Sequence, residues 1–216
     1  MNKETLKRIF ELLEVKEGHK TPFKWKLINN ESLTEEDLNI QGNLDLSGTQ
    51  VTSLPEGLTV GGDLLLSYSE IISLPEGLEV VGYLDLEGTE ITSLPERLEI
   101  KGALNLSGTK ITSLPEGLKI YSDLSLASTL ITSLPKGLLE LGGGLNLYNT
   151  KFESLPEGLK IHGDFGLPNT LITSLPKGLE VDGDLFIGNT YLKIYSNEKL
   201  REMIKPGFIG GKIWRD

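Results

Sequence analysis

Between Leu98 and Gly117 the chain reads LEIKGALNLSGTKITSLPEG, and its apolar positions fall in two registers. Leu98, Ile100, Leu104 and Leu106 lie on alternate positions, the period of a half-buried strand with one face on a core. Ile111 and Leu114 follow at longer intervals, and Pro115-Glu116-Gly117 supplies turn chemistry: proline fixes φ and glycine permits φ > 0. The same pattern begins at Leu38, Leu58, Leu78, Leu98, Leu118, Leu138, Leu159 and Leu179, and seven copies carry Ser-Leu-Pro, ending at Pro55, Pro75, Pro95, Pro115, Pro135, Pro156 and Pro176. A short fixed period predicts a solenoid, in which no turn of chain buries its apolar face without its neighbours.

Stacking the copies puts Leu44, Leu64, Leu84, Leu104, Leu124, Leu145 and Leu185 in one core column, with Phe165 substituting. Leu46, Leu66, Leu86, Leu106, Leu126 and Leu147 form the next, with Ile187 substituting. Thr49, Thr89, Thr109, Thr129, Thr150, Thr170 and Thr190 recur three residues later, where a hydroxyl can bond backbone groups left unpaired as the strand bends away. The spacing breaks once, by one residue in the copy from Leu138, and the run Gly142-Gly143-Gly144 is the expected place for a bulge. The expected fold is mainly β: a parallel β-solenoid of about eight 20-residue coils at residues 38–192, capped by a helical segment at 1–37 and by a helix plus short strand at 193–216.

The end pieces follow from their own patterns. Leu6, Ile9, Phe10 and Leu13 give a one-faced helix near which Phe23 and Trp25 pack, and Ser32 with Glu35 fits a capping box. At the other end Ser196 is placed to cap a helix containing Leu200 and Met203, stopped by Pro206 and followed by a strand in 207–214. Such caps keep an open coil from pairing edge to edge, which predicts a monomer.

The string Leu44-Asp45-Leu46-Ser47-Gly48-Thr49-Gln50-Val51-Thr52-Ser53-Leu54-Pro55-Glu56-Gly57-Leu58 resembles short bacterial and phage leucine-rich repeats of the LPEG type. It is similar to the repeat portion of type III secreted effectors, some of which are fused to a ubiquitin ligase domain, and the resemblance covers about residues 38–192. It implies the fold and is nearly silent on function; export as an effector is compatible with synthesis in the cytoplasm. The ligase chemistry needs a cysteine, and this chain has none. Where the family has an asparagine ladder this chain has Thr, which predicts a ladder held by hydroxyls; where the family opens LxxLxL it has Val-x-Gly, as at Val60 to Gly62.

Net charge is −10, but residues 1–26 and 193–216 are each +3, leaving −16 on the middle. An acidic middle disfavours nucleic acid, whose binding requires cations to replace counterions, and suits a basic or mixed-charge protein partner. No apolar run is long enough to span a membrane. His19 and His162 are isolated, Gly210-Gly211-Lys212 lacks the rest of a phosphate loop, and the column Glu56, Glu76, Glu96, Glu116 must be solvated to avoid repulsion. No catalytic residue, metal or cofactor is therefore expected, and the chain reads as non-enzymatic.

What varies between copies is the outward face. One column holds Asp45, Asp85, Asn105, Asn146 and Phe186; beside it run Asp63, Tyr83, Asp123, Asp164 and Asp184; Tyr68, Tyr121 and Tyr148 add outward aromatics. Drift on a solvated face would give the same variability, but tyrosine is a frequent interface anchor, and these thirteen residues are the candidate partner-binding set. Two other readings remain: an acidic inhibitor, phage- or mobile-element-encoded, that mimics nucleic-acid charge, and a structural or surface component.

Overall fold

A computed structural model describes residues 23–216. The amphipathic helix expected around Leu6 to Leu13 lies outside the described residues. Each twenty-residue unit makes one rung with two short parallel strands separated by a corner. The first sheet is continuous and nine-stranded, running from Leu44–Asp45 through Leu64–Leu65, Leu84–Asp85, Leu104–Asn105, Leu124–Ser125, Leu145–Asn146, Phe165–Gly166 and Leu185–Phe186 to Ile213–Trp214. The strands before the corner form a second sheet in two pieces, five strands from Asn39–Ile40 to Lys119–Ile120 and four from Glu140–Leu141 to Phe208–Ile209.

The core is one column per apolar position of the repeat. In the second rung Leu58, Val60, Leu64, Leu66, Ile71 and Leu74 are all buried, and so are their counterparts in most other rungs. Phe152 and Phe165 fill the same columns in later rungs and are fully buried.

The threonine column closes each rung upon itself. Thr49, Ser69, Thr89, Thr109, Thr129, Thr150, Thr170 and Thr190 each donate Oγ–H to the carbonyl three residues back, at 2.6–2.8 Å. The expected hydroxyl ladder between coils is not what forms here: the hydroxyl turns back to the strand-end carbonyl of its own rung, which in most rungs also accepts the backbone N–H of the same residue. From Ser69 on these side chains are buried, so the bond replaces water at a group that otherwise would lack a partner.

Coil-to-coil side-chain bonding sits instead at the corner. Asn43 Oδ1 accepts the backbone N–H of Asp63 (2.8 Å), and Asp63 Oδ1 that of Tyr83 (2.8 Å). Asp123 accepts from Gly144, Asp164 from Asp184 (2.8 Å), and Asp184 from Lys212 (2.7 Å). The residue before this column must then be small: a Cβ on Gly62, Gly82, Gly143 or Gly183 would lie 2.1–2.5 Å from the Oδ1 of the rung below. Where the corner carries Ser122, the residue beneath its neighbour is Ala103, which has no carboxylate to make room for.

The extra residue is Leu139, not the glycine run. Lys160 pairs with Glu140 and Ile161 with Leu141, while Leu138 takes the buried position and Leu139 is turned out. Gly143 and Gly144 occupy ordinary corner positions, each stacked on the rung of Asp123. The bulge therefore lies before the strand, and it is where the second sheet divides.

Both ends carry cationic caps. Lys24, on the helix Phe23–Ile28, donates Nζ to the outward-facing carbonyl of Asp45. The capping box at this end is Thr34 with Asp37 rather than Ser32 with Glu35: Thr34 N–H donates to Asp37 Oδ2 (2.7 Å) and Asp37 N–H to Thr34 Oγ (3.3 Å). Lys26 pairs with the same carboxylate at 3.0 Å. Burial pushes the Asp37 carboxyl pKa up, but the Thr34 and Lys26 bonds outweigh it and hold it below the ordinary value. At the far end Ser196 caps the helix Asn197–Met203, and Arg201 donates to the carbonyls of Ile209 and Gly211, the latter at 2.8 Å. The closing segment adds a strand to each sheet and so completes a ninth rung.

Three outcomes test this frame. Thr109→Val should cost about 1 kcal/mol in chemical denaturation, the worth of one buried hydroxyl bond. Gly183→Ala should cost more, about 2 kcal/mol or above, because Asp164 Oδ1 and the Gly163 backbone already fill the space. In native-state hydrogen exchange, the amides of Glu140 to Gly142 should exchange faster than those of Lys160 to His162, since the former face the break.

Candidate functional site

The outward side of the nine-stranded sheet carries a groove of about 660 Å³ spanning the third to the eighth rung. Its floor is made of small residues, Ala103, Ser125, Gly144 and Gly166. Small side chains there follow from the variable columns, where nothing in the repeat demands bulk. Tyr83 stands at one end and Phe186 at the other, with Tyr148 and Pro168 along the wall.

The polar residues of the groove are held by turns within their own strands. Asn105 Oδ1 accepts the N–H of Ser107 and Asn146 Oδ1 that of Tyr148, each at 3.0 Å, the geometry of an Asx turn at the strand end. Asn105 also donates Nδ2 to Asp85 Oδ1 at 3.0 Å. Burial pushes the Tyr83 hydroxyl pKa up; a bond with Asn105 pulls the other way, and Asp85 adds to the rise. Phe186 is stacked on Trp214 of the ninth rung, with centroids 6.4 Å apart.

Of the thirteen candidate residues, Tyr83, Asn105, Asp123, Asn146, Tyr148, Asp164 and Phe186 line the groove. Asp45 lies on the first rung, where its Oδ1 accepts the N–H of Ser47 at 2.9 Å, and Asp85 does the same for Glu87 at 3.1 Å. Asp63 and Asp184 belong to the corner column and have both oxygens occupied: Asp63 Oδ2 accepts from Asn43 Nδ2, and Asp184 Oδ2 from Trp214 Nε1 at 2.7 Å. The Trp214 bond, with the Lys212 N–H and charge, holds the Asp184 carboxyl below its ordinary pKa. Tyr68 sits in a turn column of left-handed residues, with φ of 55°, where other rungs use glycine, serine or asparagine. Its ring lies over Gly88 and its hydroxyl donates to Glu87. Tyr121 is across the corner, beside the break in the second sheet, where Lys101 Nζ lies 4.6 Å from its ring centroid.

Sequence reasoning did not single out the groove floor, because Ala103, Ser125, Gly144 and Gly166 carry no distinctive chemistry. The readable signal was their smallness in columns that elsewhere hold Asp, Asn or Tyr. It also left His162 as a lone solvent-facing residue. The ring in fact bridges three rungs, with Nδ1 2.8 Å from Asp182 and Nε2 3.1 Å from Glu140. Those two bonds, Asp182 first, raise its pKa above the ordinary histidine value. Among the described residues no group of three or more His, Cys, Asp and Glu side chains is placed to hold a metal ion, and no helix is long and apolar enough to cross a membrane.

No family model matches the chain, and no curated protein does. Among solved structures it is similar to the leucine-rich-repeat domain of a Shigella effector, at 20% sequence identity and a TM-score of 0.54, over 99% of this chain and 98% of that one. At this identity the likeness concerns the fold: a leucine-rich-repeat-like parallel β-solenoid.

A raised histidine pKa means stability that is fully present below the unfolded-state value of about 6.5 and lost as pH rises through the folded value. Thermal denaturation at pH 6 and pH 8.5 should show a fall in Tm for the native protein, and a smaller one for His162→Gln. An equal fall in both would remove the bridge from the account.

Proposed function

We propose that the protein is a non-enzymatic scaffold that binds another protein through the outward face of its nine-stranded sheet, at the groove between Tyr83 and Phe186. The observation that carries this reading is the groove itself: aromatic residues at its ends and along its wall, a floor of small residues, and acidic side chains, with no lysine or arginine among its lining residues. Aromatic groups give large contact area at low entropic cost, and uncompensated carboxylates favour encounter with a basic partner. The neighbouring effector domain has the same fold, which is consistent with a scaffold and says nothing of the partner.

The acidic residues are spread unevenly in what they leave free. Asp63 and Asp184 spend both carboxylate oxygens on their neighbours, so they add less to an open anionic surface than their number suggests. This distribution favours local recognition of cationic side chains over a broad imitation of nucleic-acid charge.

Ser125→Arg places a long cation on the groove floor without touching the corner column. With a partner identified by affinity capture and then purified, this variant should lose binding at least ten-fold in calorimetry, while Glu56→Arg on the solvated turn edge should not. Retained binding by Ser125→Arg would move the site off this face.

A further inference from the structure

Within the groove, the corner column leaves two carboxylates half used. Asp123 and Asp164 each give one oxygen, Oδ1, to the backbone N–H of the next rung. Their second oxygens have no partner among the described residues, and both side chains are exposed in the groove wall. Between them stands Gly144, so nothing blocks the line from one to the other. They lie two rungs apart, about 9.6 Å at the strand spacing of a parallel sheet.

The groove runs across the strands for about 24 Å, five rung spacings. An α-helix repeats one face at about 5.4 Å, or over seven residues at about 10.5 Å, and neither equals the carboxylate spacing of about 9.6 Å. Two extended conformations compete. On a β-strand, side chains facing one way recur every two residues, about 6.7 Å, which misses the carboxylate spacing. On a polyproline II helix they recur every three residues, about 9.3 Å, which matches two rungs. Polyproline II segments also bind in shallow grooves walled by aromatic rings, since the conformation is set before binding and little entropy is lost. Tyr148 supplies a ring along the wall, Pro168 lies beside it, and the rings of Tyr83 and Phe186 close the ends.

Resting on the reading of this face as protein-binding, we propose that its occupant is a proline-rich segment of the partner, in the polyproline II conformation, with basic residues at positions i and i+3 that meet Asp123 and Asp164. The segment lies along the solenoid axis. About eight residues fill the groove, and the two cations set its register on the rungs.

The test uses three fluorescently labelled peptides and the full chain, read by fluorescence anisotropy. PPKPPKPP carries lysines three apart, PPKPKPPP carries them two apart, and PPQPPQPP carries none. The first should bind at least ten-fold more tightly than either control. D123N and D164N should each weaken it at least five-fold, and the double variant should abolish the preference. Asparagine keeps the accepting oxygen the corner needs, as Asn43 does in the first rung, so these variants remain folded and circular dichroism checks it. Equal binding of the two lysine spacings, no binding of PPKPPKPP, or an unchanged double variant overturns the proposal. So does equal binding of a helical peptide with lysines seven apart, or self-association of the protein that covers the groove in sedimentation. If PPKPPKPP fails while Ser125→Arg still loses the purified partner, the occupant's conformation is wrong and the face is right. If both fail, the face is wrong.

Discussion

Parallel strands stack about 4.8 Å apart, and everything in this molecule must fit that spacing. A rung has no independent core, so each residue is judged by what lies one repeat above and below it. At the corner the constraint is sharpest. The carboxylate or amide of one rung rises into the space where the next rung would carry a Cβ, and glycine is the residue that yields it. The carboxylate in turn satisfies an N–H that the bend takes out of the strand ladder. Glycine and Asp or Asn form one device where the acid or amide lies below; over Tyr83 and Gly144, Gly102 and Gly163 yield instead to the backbone of the rung beneath, and Ser122 stands over the rung of Ala103.

The same device decides how the acidic surface is to be understood. A column of aspartates along a sheet would repel if every carboxylate were free, since like charges a rung apart interact at about 1 kcal/mol even in water. Backbone N–H groups, Asn43 Nδ2 and Trp214 Nε1 offset that repulsion at Asp63 and Asp184. Fold and surface charge are thus the same residues in two roles, and the charge left for a ligand is what the frame does not consume.

Most of the frame was legible in the chain. The alternation of Leu58, Val60, Leu64 and Leu66 sets which residues are buried, and the recurrence of Pro and Gly sets where the rung turns. The hydroxyl column was legible in position but not in partner, because a threonine three residues past a strand end can reach back to its own rung or across to the next, and only the bend chooses. The extra residue was misplaced at Gly142 to Gly144 because glycines suggest a bulge, whereas pairing put it at Leu139, where the outward turn of a leucine costs less than breaking the corner device. Of the candidate residues, those on the groove share a face with neighbours whose one signal in the chain is their small size; Tyr121 left that face because the corner at Ser122 turns the chain between it and the sheet.

The interruption at Leu138 and Leu139 has a mechanical meaning. One wall of the solenoid is a continuous sheet of nine strands, and the other is severed between its fifth and sixth strands. A rod with one intact wall and one cut wall flexes about the cut, with the intact wall as its neutral surface. The His162 tie to Glu140 and Asp182 stitches the rungs just beyond that point. The groove spans the same stretch on the intact wall, which carries its rungs past the cut without a break.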